Sequence, residues 1–90
     1  MERINKVYQL LTVNHSNFHT SIIPDSYVYT NEKDARIDIN ARIITFAQNG
    51  EKLNYKGVIK SIRDIADIYQ EHSDKEYCDI YIYEIYLINI

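Results

Sequence analysis

The sequence predicts one α+β domain over residues 1–90, with an antiparallel sheet of about four strands and one main helix packed on one face. Three observations predict this class. Ninety residues are the length of one domain. Isoleucine is the commonest residue type and tyrosine follows with nine copies, and both types favour strands. Two glycines and one proline leave little chain for long loops.

The N-terminal third predicts a helix followed by a short strand. Ile4, Val7, Tyr8 and Leu11 recur at helical spacing, which favours a helix over residues 2–13. Pro24-Asp25 is a turn signal after an irregular stretch. The alternation from Ser26 to Thr30 then indicates a short strand.

Residues 35–47 alternate apolar and polar side chains in their first half, which predicts a long strand, Ala35 to Ala47. Asn49-Gly50 follows and is the strongest short signal for a tight hairpin. Within this strand the apolar face changes from odd to even positions. A regular strand cannot change faces, so we expect either a β-bulge near Arg42–Ile44 or a break there.

The last third predicts the main helix and a final strand, which completes an α-β-β-β-α-β order. Residues 57–71 show the clearest helical periodicity, with Gly57 as the N-cap. Cys78–Ile90 is apolar on both faces, so it is either the centre of the sheet or a surface that meets a partner. Glu84 interrupts this run, which predicts a bend, a bulge or a sheet edge at that point.

The charge is unevenly distributed along the chain. Residues 1–63 carry nine basic and six acidic side chains, whereas residues 64–90 carry one basic and seven acidic side chains. Such asymmetry bears on partners rather than on fold. We expect a partner-binding surface formed by acidic residues and tyrosines of the C-terminal third: Asp64, Asp67, Glu71, Asp74, Glu76, Tyr81 and Tyr83.

A nucleic-acid-binding module is the alternative interpretation. The outer face of the predicted hairpin would carry basic residues that can contact phosphates, and two tyrosines of the short strand could stack on bases. These residues are Arg36, Arg42, Lys52, Lys56, Tyr27 and Tyr29. The net charge of −3 disfavours this alternative.

The histidines and the single cysteine form no recognisable catalytic or metal-binding pattern. His15 and His19 are four residues apart, but no third ligand lies at a suitable spacing, so we interpret both as polar loop residues. Cys78 opens an apolar strand, where a free cysteine usually behaves as a small hydrophobic residue. The sequence therefore predicts no enzyme activity, no metal and no cofactor.

The composition also suggests a setting for the protein. Ile, Asn, Lys and Tyr account for 39 of 90 residues, and their AT-rich codons indicate a low-GC genome. No apolar stretch is long enough to span a membrane, so we expect a cytoplasmic protein of a bacterial host. We expect a phage or mobile-element inhibitor of a larger host protein, for example a nucleic-acid-handling enzyme such as a CRISPR nuclease. A homodimer formed through the C-terminal strand is the other expected partnership.

Overall fold

The architecture is α+β, with a four-stranded mixed sheet and two helices. The computed structural model describes residues 3–70 and 75–89. The elements in chain order are β1 (Arg3–Ser16), β2 (His19–Pro24), α1 (Glu32–Gln48), β3 (Asn54–Ile59), α2 (Ile62–Tyr69) and β4 (Tyr77–Asn89). The predicted class and strand number are confirmed. The predicted order of elements is wrong, and the sheet is not purely antiparallel because β3 runs parallel to β4.

Strands β1 and β4 are the two central strands of the sheet, whose order is β2-β1-β4-β3. They pair antiparallel without interruption from Arg3–Asn89 to His15–Tyr77. On one face of this pair Leu10, Ile80 and Ile82 are fully buried against α1. The two-sided apolar character of the last strand is therefore that of a central strand.

Glu84 does not bend or bulge β4, because it stays in register opposite Tyr8 of β1. The pairing with β3, however, ends where Ile59 lies opposite Tyr83. From Glu84 onward β4 is consequently a sheet edge on the β3 side, which is one of the three outcomes that this glutamate predicted.

The N-terminal segment is a strand, so the predicted helix over residues 2–13 is wrong. Because β1 is central, Leu10 is buried on the α1 side, while Leu11 and Val13 are buried on the opposite face. Apolar residues on both faces of a strand also fall at spacings of three and four, which imitates a helix. Pairing with β4 makes this segment a strand rather than a helix.

Residues 32–48 form helix α1, so the predicted strand Ala35–Ala47 and its bulge near Arg42–Ile44 are wrong. The side-chain oxygen of the N-cap Asn31 accepts a hydrogen bond from the N–H of Asp34 at 2.9 Å. The residues that contact the core recur every three or four positions: Ala35, Ile39, Ile43 and Phe46. The apparent change of face is thus the period of a helix.

Asn49-Gly50 ends helix α1 instead of forming the predicted hairpin turn. The N–H of Asn49 and the N–H of Glu51 both donate to the carbonyl of Phe46, at 3.0 and 2.8 Å. Gly50 has a φ of +75°, a conformation that both a helix end and a tight hairpin require. Asn49-Gly50 therefore predicts a positive φ at Gly50, but it does not show whether a helix end or a hairpin turn adopts it.

The predicted helix over residues 57–71 begins later than expected, because its first residues belong to β3. Gly57 lies in that strand beside a register shift against β4, and Ser61 is the N-cap of α2. Helix α2 approaches β2 and contributes no fully buried residue. The predicted strand Ser26–Thr30 is reduced to a single bridge between Tyr29 and Tyr8.

We predict that Ile82→Ala lowers the free energy of unfolding by about 2–5 kcal/mol, because Ile82 of β4 is fully buried in the core cluster that also contains Leu10 and Ile39. Urea titration followed by circular dichroism measures the change. Ile44→Ala is the matched control, since Ile44 is 59% exposed on α1 and should change stability by less than about 0.5 kcal/mol. Equal effects of the two substitutions would contradict this placement of the core.

Candidate protein-interaction surface

The acidic and tyrosine residues expected to form one partner-binding surface have different roles in the fold. Asp64 belongs to the cap of α2, where its N–H donates to Ser61 Oγ and its carboxylate accepts from the N–H of Lys60. Asp67 is exposed on α2, and the exposed Glu76 accepts a hydrogen bond from Ser16 Oγ at 3.3 Å. Glu71 and Asp74 lie outside the described residues.

Tyr81 and Tyr83 lie in the middle of the sheet rather than on an outer surface. Each is paired on one side with β1 and on the other side with β3, and both side chains are half-buried. A partner could reach only part of each ring. The tyrosine of β4 that is most accessible is Tyr86, at 48% exposure, which the sequence did not single out.

The basic sheet face expected for nucleic-acid binding does not exist. Arg36 and Arg42 lie on α1, Lys52 lies in the connection before β3, and Lys56 lies in β3. The guanidinium of Arg36 forms an exposed ion pair with Glu32 at 3.0 Å. The hairpin that would have aligned these four side chains is not formed, so the basis of that interpretation is removed.

Arg42 is instead the centre of an ion-pair cluster that joins α1 to the chain after β2. Its guanidinium contacts both carboxylate oxygens of Asp25, with Nη1 at 3.1 Å from Oδ1, and Asp38 Oδ2 lies 3.1 Å from Nη2. Tyr27 and Tyr29 donate their hydroxyl hydrogens to the same Asp38 carboxylate. The Arg42 guanidinium is thus already bound to two carboxylates. The cluster joins α1 to the segment after β2, and the arginine is not available to bind a phosphate.

The charge state of Asp38 is set by this cluster. Burial of the carboxyl favours its neutral form, but the hydrogen bond from Tyr29 and the contacts with the Arg42 guanidinium outweigh burial. The pKa of Asp38 therefore lies below its ordinary value of 3.8. The carboxylate is ionised throughout the neutral range and balances the positive charge of Arg42.

An open cleft of about 650 Å³ lies at the end of the sheet where β1 finishes and β4 begins. His15 lies at this end of the sheet and is almost fully buried, so it is not the loop residue that the sequence indicated. Its Nδ1 lies 2.7 Å from Thr20 Oγ1, and its ring stacks on Tyr77 with centroids 4.9 Å apart. These contacts indicate that His15 has a structural role at this end of the sheet.

The cleft does not carry an activated nucleophile or a metal-ligand cluster in the part of the chain that the structure describes. Burial, followed by the neighbouring carboxylates of Asp79 and Glu51, raises the pKa of the Cys78 thiol. A thiol with a raised pKa is less often in the reactive thiolate form. Within residues 3–70 and 75–89, no three side chains of the metal-ligating types lie together.

The far ends of the two central strands form a two-stranded arm, which we define as Arg3–Val7 of β1 and Ile85–Asn89 of β4. Five residue pairs join the two segments. Strand β2 pairs with β1 only from Leu11 onward, and β3 pairs with β4 only up to Tyr83. Across the described residues, no further strand covers either outer edge of the arm, which extends for about 17 Å.

The two edges of the arm differ in charge. The β1 edge carries Arg3 and Lys6, whereas the β4 edge, Ile85–Asn89, has no charged residue. Solvent-exposed edges in monomeric proteins usually carry charges or proline that prevent pairing with other strands. On the β4 edge Tyr86 and Leu87 are instead 48% and 45% exposed.

Glu84 anchors the base of the arm. Its carboxylate accepts a hydrogen bond from the Tyr86 hydroxyl at 2.6 Å and forms an ion pair with Lys6 at 3.3 Å. The hydrogen bond from Tyr86, acting against burial and together with Lys6, lowers the pKa of Glu84 below its ordinary value. Lys6 Nζ also lies 5.3 Å from the centroid of the Tyr86 ring, so the two strands are joined by side chains as well as by backbone.

No family model, curated protein or solved structure matches this chain. Among the helices of the described residues, none is long and apolar enough to cross a membrane. The geometry of the arm and its side chains is therefore the basis for a functional proposal.

We predict that Arg42→Met lowers the free energy of unfolding by about 1–3 kcal/mol, because Asp25 and Asp38 would lose their shared cation while remaining largely buried. Arg36→Met is the control: its ion pair with Glu32 is exposed, and its loss should cost less than about 1 kcal/mol. Urea unfolding of both variants at neutral pH gives the comparison. A loss for Arg36→Met as large as that for Arg42→Met would contradict a central role for the cluster.

The lowered pKa of Asp38 predicts how stability depends on pH. Because the folded-state pKa lies below 3.8, the ionised carboxylate stabilises the fold fully above that pH, and this contribution is lost as pH falls through the lower folded value. Asp38→Asn should therefore lose less stability on acidification below about pH 4 than the unmodified protein. Urea midpoints measured at successive pH values test this, and parallel curves for the two proteins would contradict it.

Proposed function

We propose that this is a non-catalytic protein-binding protein that pairs with an extended segment of a partner at the uncharged β4 edge of the arm. One observation carries the proposal: Ile85–Asn89 is an open strand edge on the β3 side that has no charged residue and includes the exposed side chains of Tyr86 and Leu87. An added strand would satisfy the outward N–H and C=O groups of this edge.

The energetics of the arm support the same mode of binding. A ribbon of only two strands is marginally stable in water, and a third strand adds backbone hydrogen bonds and cross-strand side-chain contacts. Tyrosine is also enriched at protein interfaces, where its ring supplies a large contact area. The anchoring of Tyr86 by Glu84 reduces the conformational entropy that this ring would lose on binding.

We further propose that the partner is a larger protein with a basic surface, and that binding inhibits it. The charge of the last third of the chain supports this step, because residues 64–90 carry seven acidic side chains and one basic one. Asp67 and Glu76 are the exposed members of this group in the described part of the chain. They would supply long-range attraction, while the arm would supply the specific contact.

Selection from a displayed library of random peptides tests the strand-addition mode. We expect the unmodified protein to select peptides rich in β-branched and aromatic residues. We predict that Leu87→Lys, which places a charge on the edge, weakens binding of the selected peptides about tenfold or more, as measured by fluorescence polarisation.

Ile44→Lys is the matched control, because it introduces the same charge at an exposed isoleucine of α1 outside the arm. Its peptide affinity should stay within about twofold of that of the unmodified protein. Failure to select any peptide, or equal affinity for the Leu87→Lys variant and the unmodified protein, would contradict the proposal.

A further inference from the structure

Resting on the proposed function, we infer that the strand that fits the β4 edge of the arm is the same segment of a second copy of this chain. The two copies of Ile85–Asn89 pair antiparallel about a two-fold axis at Leu87. The sheets of the two protomers then become continuous through their arms. A second copy and an extended peptide would therefore compete for the same outward N–H and C=O groups of this edge.

Charge selects the β4 edge over the β1 edge for this pairing. An antiparallel register centred on Leu87 places Ile85 opposite Asn89 and Tyr86 opposite Ile88, so no charged residues meet. The corresponding pairing of the β1 edge, centred on Asn5, would crowd Arg3 and Lys6 of both copies into a short stretch. Lys6 is ion-paired with Glu84 in each protomer, but the excess of positive charge still disfavours that arrangement.

The register is also compatible with the space beside β4. Strand β3 occupies this edge only as far as Tyr83, two residues before the uncharged segment begins. Glu84, which is bonded within its own protomer to Lys6 and Tyr86, lies outside the paired window. Within residues 3–70 and 75–89, the second copy therefore meets no strand or ion pair that it would have to displace from this edge.

The chemistry of the segment suits a symmetric pair. In this register an aromatic residue faces a β-branched one twice, at Tyr86 and Ile88 of the two chains, and Leu87 faces its own copy across the axis. Such pairs are among the favourable cross-strand contacts of antiparallel sheets. Only one short strand per protomer takes part, so the interface is small. The association should therefore be weak, and the dimer should dissociate on dilution.

Sedimentation equilibrium or light scattering over a range of protein concentrations tests the dimer. We expect the mass to rise with concentration from 10.7 kDa towards twice that value. Leu87→Lys should stay at the mass of one chain, whereas Ile44→Lys should associate like the unmodified protein. Circular dichroism of both variants serves as the folding control, and we expect native spectra because both sites are exposed.

Cross-linking tests the register. In a Cys78→Ser background, Leu87→Cys places two thiols opposite each other at the two-fold axis, at a separation that a disulfide can bridge. Mild oxidation should yield a covalent dimer much faster for this variant than for Ile44→Cys in the same background. Equal rates would overturn the proposed register.

The outcomes separate this inference from the proposed function. A chain that stays monomeric at every concentration, but whose selected peptides still lose affinity with Leu87→Lys, overturns the dimer and leaves strand addition standing. A dimer that persists in Leu87→Lys also overturns the inference, because its interface must then lie elsewhere. Loss of both the dimer and peptide binding in Leu87→Lys alone supports the two proposals together.

Discussion

The antiparallel pairing of β1 with β4 is the constraint on which the rest of the structure depends. These strands come from opposite ends of the chain and pair over thirteen consecutive residues. Their central position demands apolar side chains on both faces, which Leu10 and Ile82 supply on one side and Leu11 and Val13 on the other. Both β2 and β3 are added to this pair as shorter outer strands, and α1 covers one of its faces.

The same pairing creates the arm, because β1 and β4 continue beyond the ends of both neighbours. The core is built from long central strands, and the part of these strands that extends past β2 and β3 has no neighbouring strand on its outer edges among the described residues. Polar contacts reinforce that part: Glu84 joins Lys6 of one strand to Tyr86 of the other. The edge beyond Glu84 nevertheless lacks the charges that usually protect an exposed strand, which links the architecture of this protein to the proposal that it binds other chains.

Helix α1 is fixed by two different kinds of interaction. Ala35 and Ile39 pack into the core, while Arg42 joins the helix to Asp25 of the segment after β2. The helix carries isoleucines on its exposed face as well, at Ile37 and Ile44. Its apolar residues therefore do not form a single stripe, and this is why their spacing favoured a strand when the sequence was considered alone.

Length, composition and the pattern of apolar residues were sufficient to predict the α+β class, about four strands, and the two-sided character of the last strand. Local pattern could not show whether the predicted first helix, long strand and hairpin form. Leu10, Leu11 and Asn49-Gly50 are each compatible with two backbone structures. Only tertiary structure decided between them: β1 became a strand because β4 pairs with it, and residues 32–48 became a helix because the core lies on one side of them. Tertiary structure also separated the basic residues Arg36, Arg42, Lys52 and Lys56. It left Ile85–Asn89 paired with β1 but without a described strand on the β3 side, since the reach of β3 is set by long-range pairing that no local sequence signal encodes.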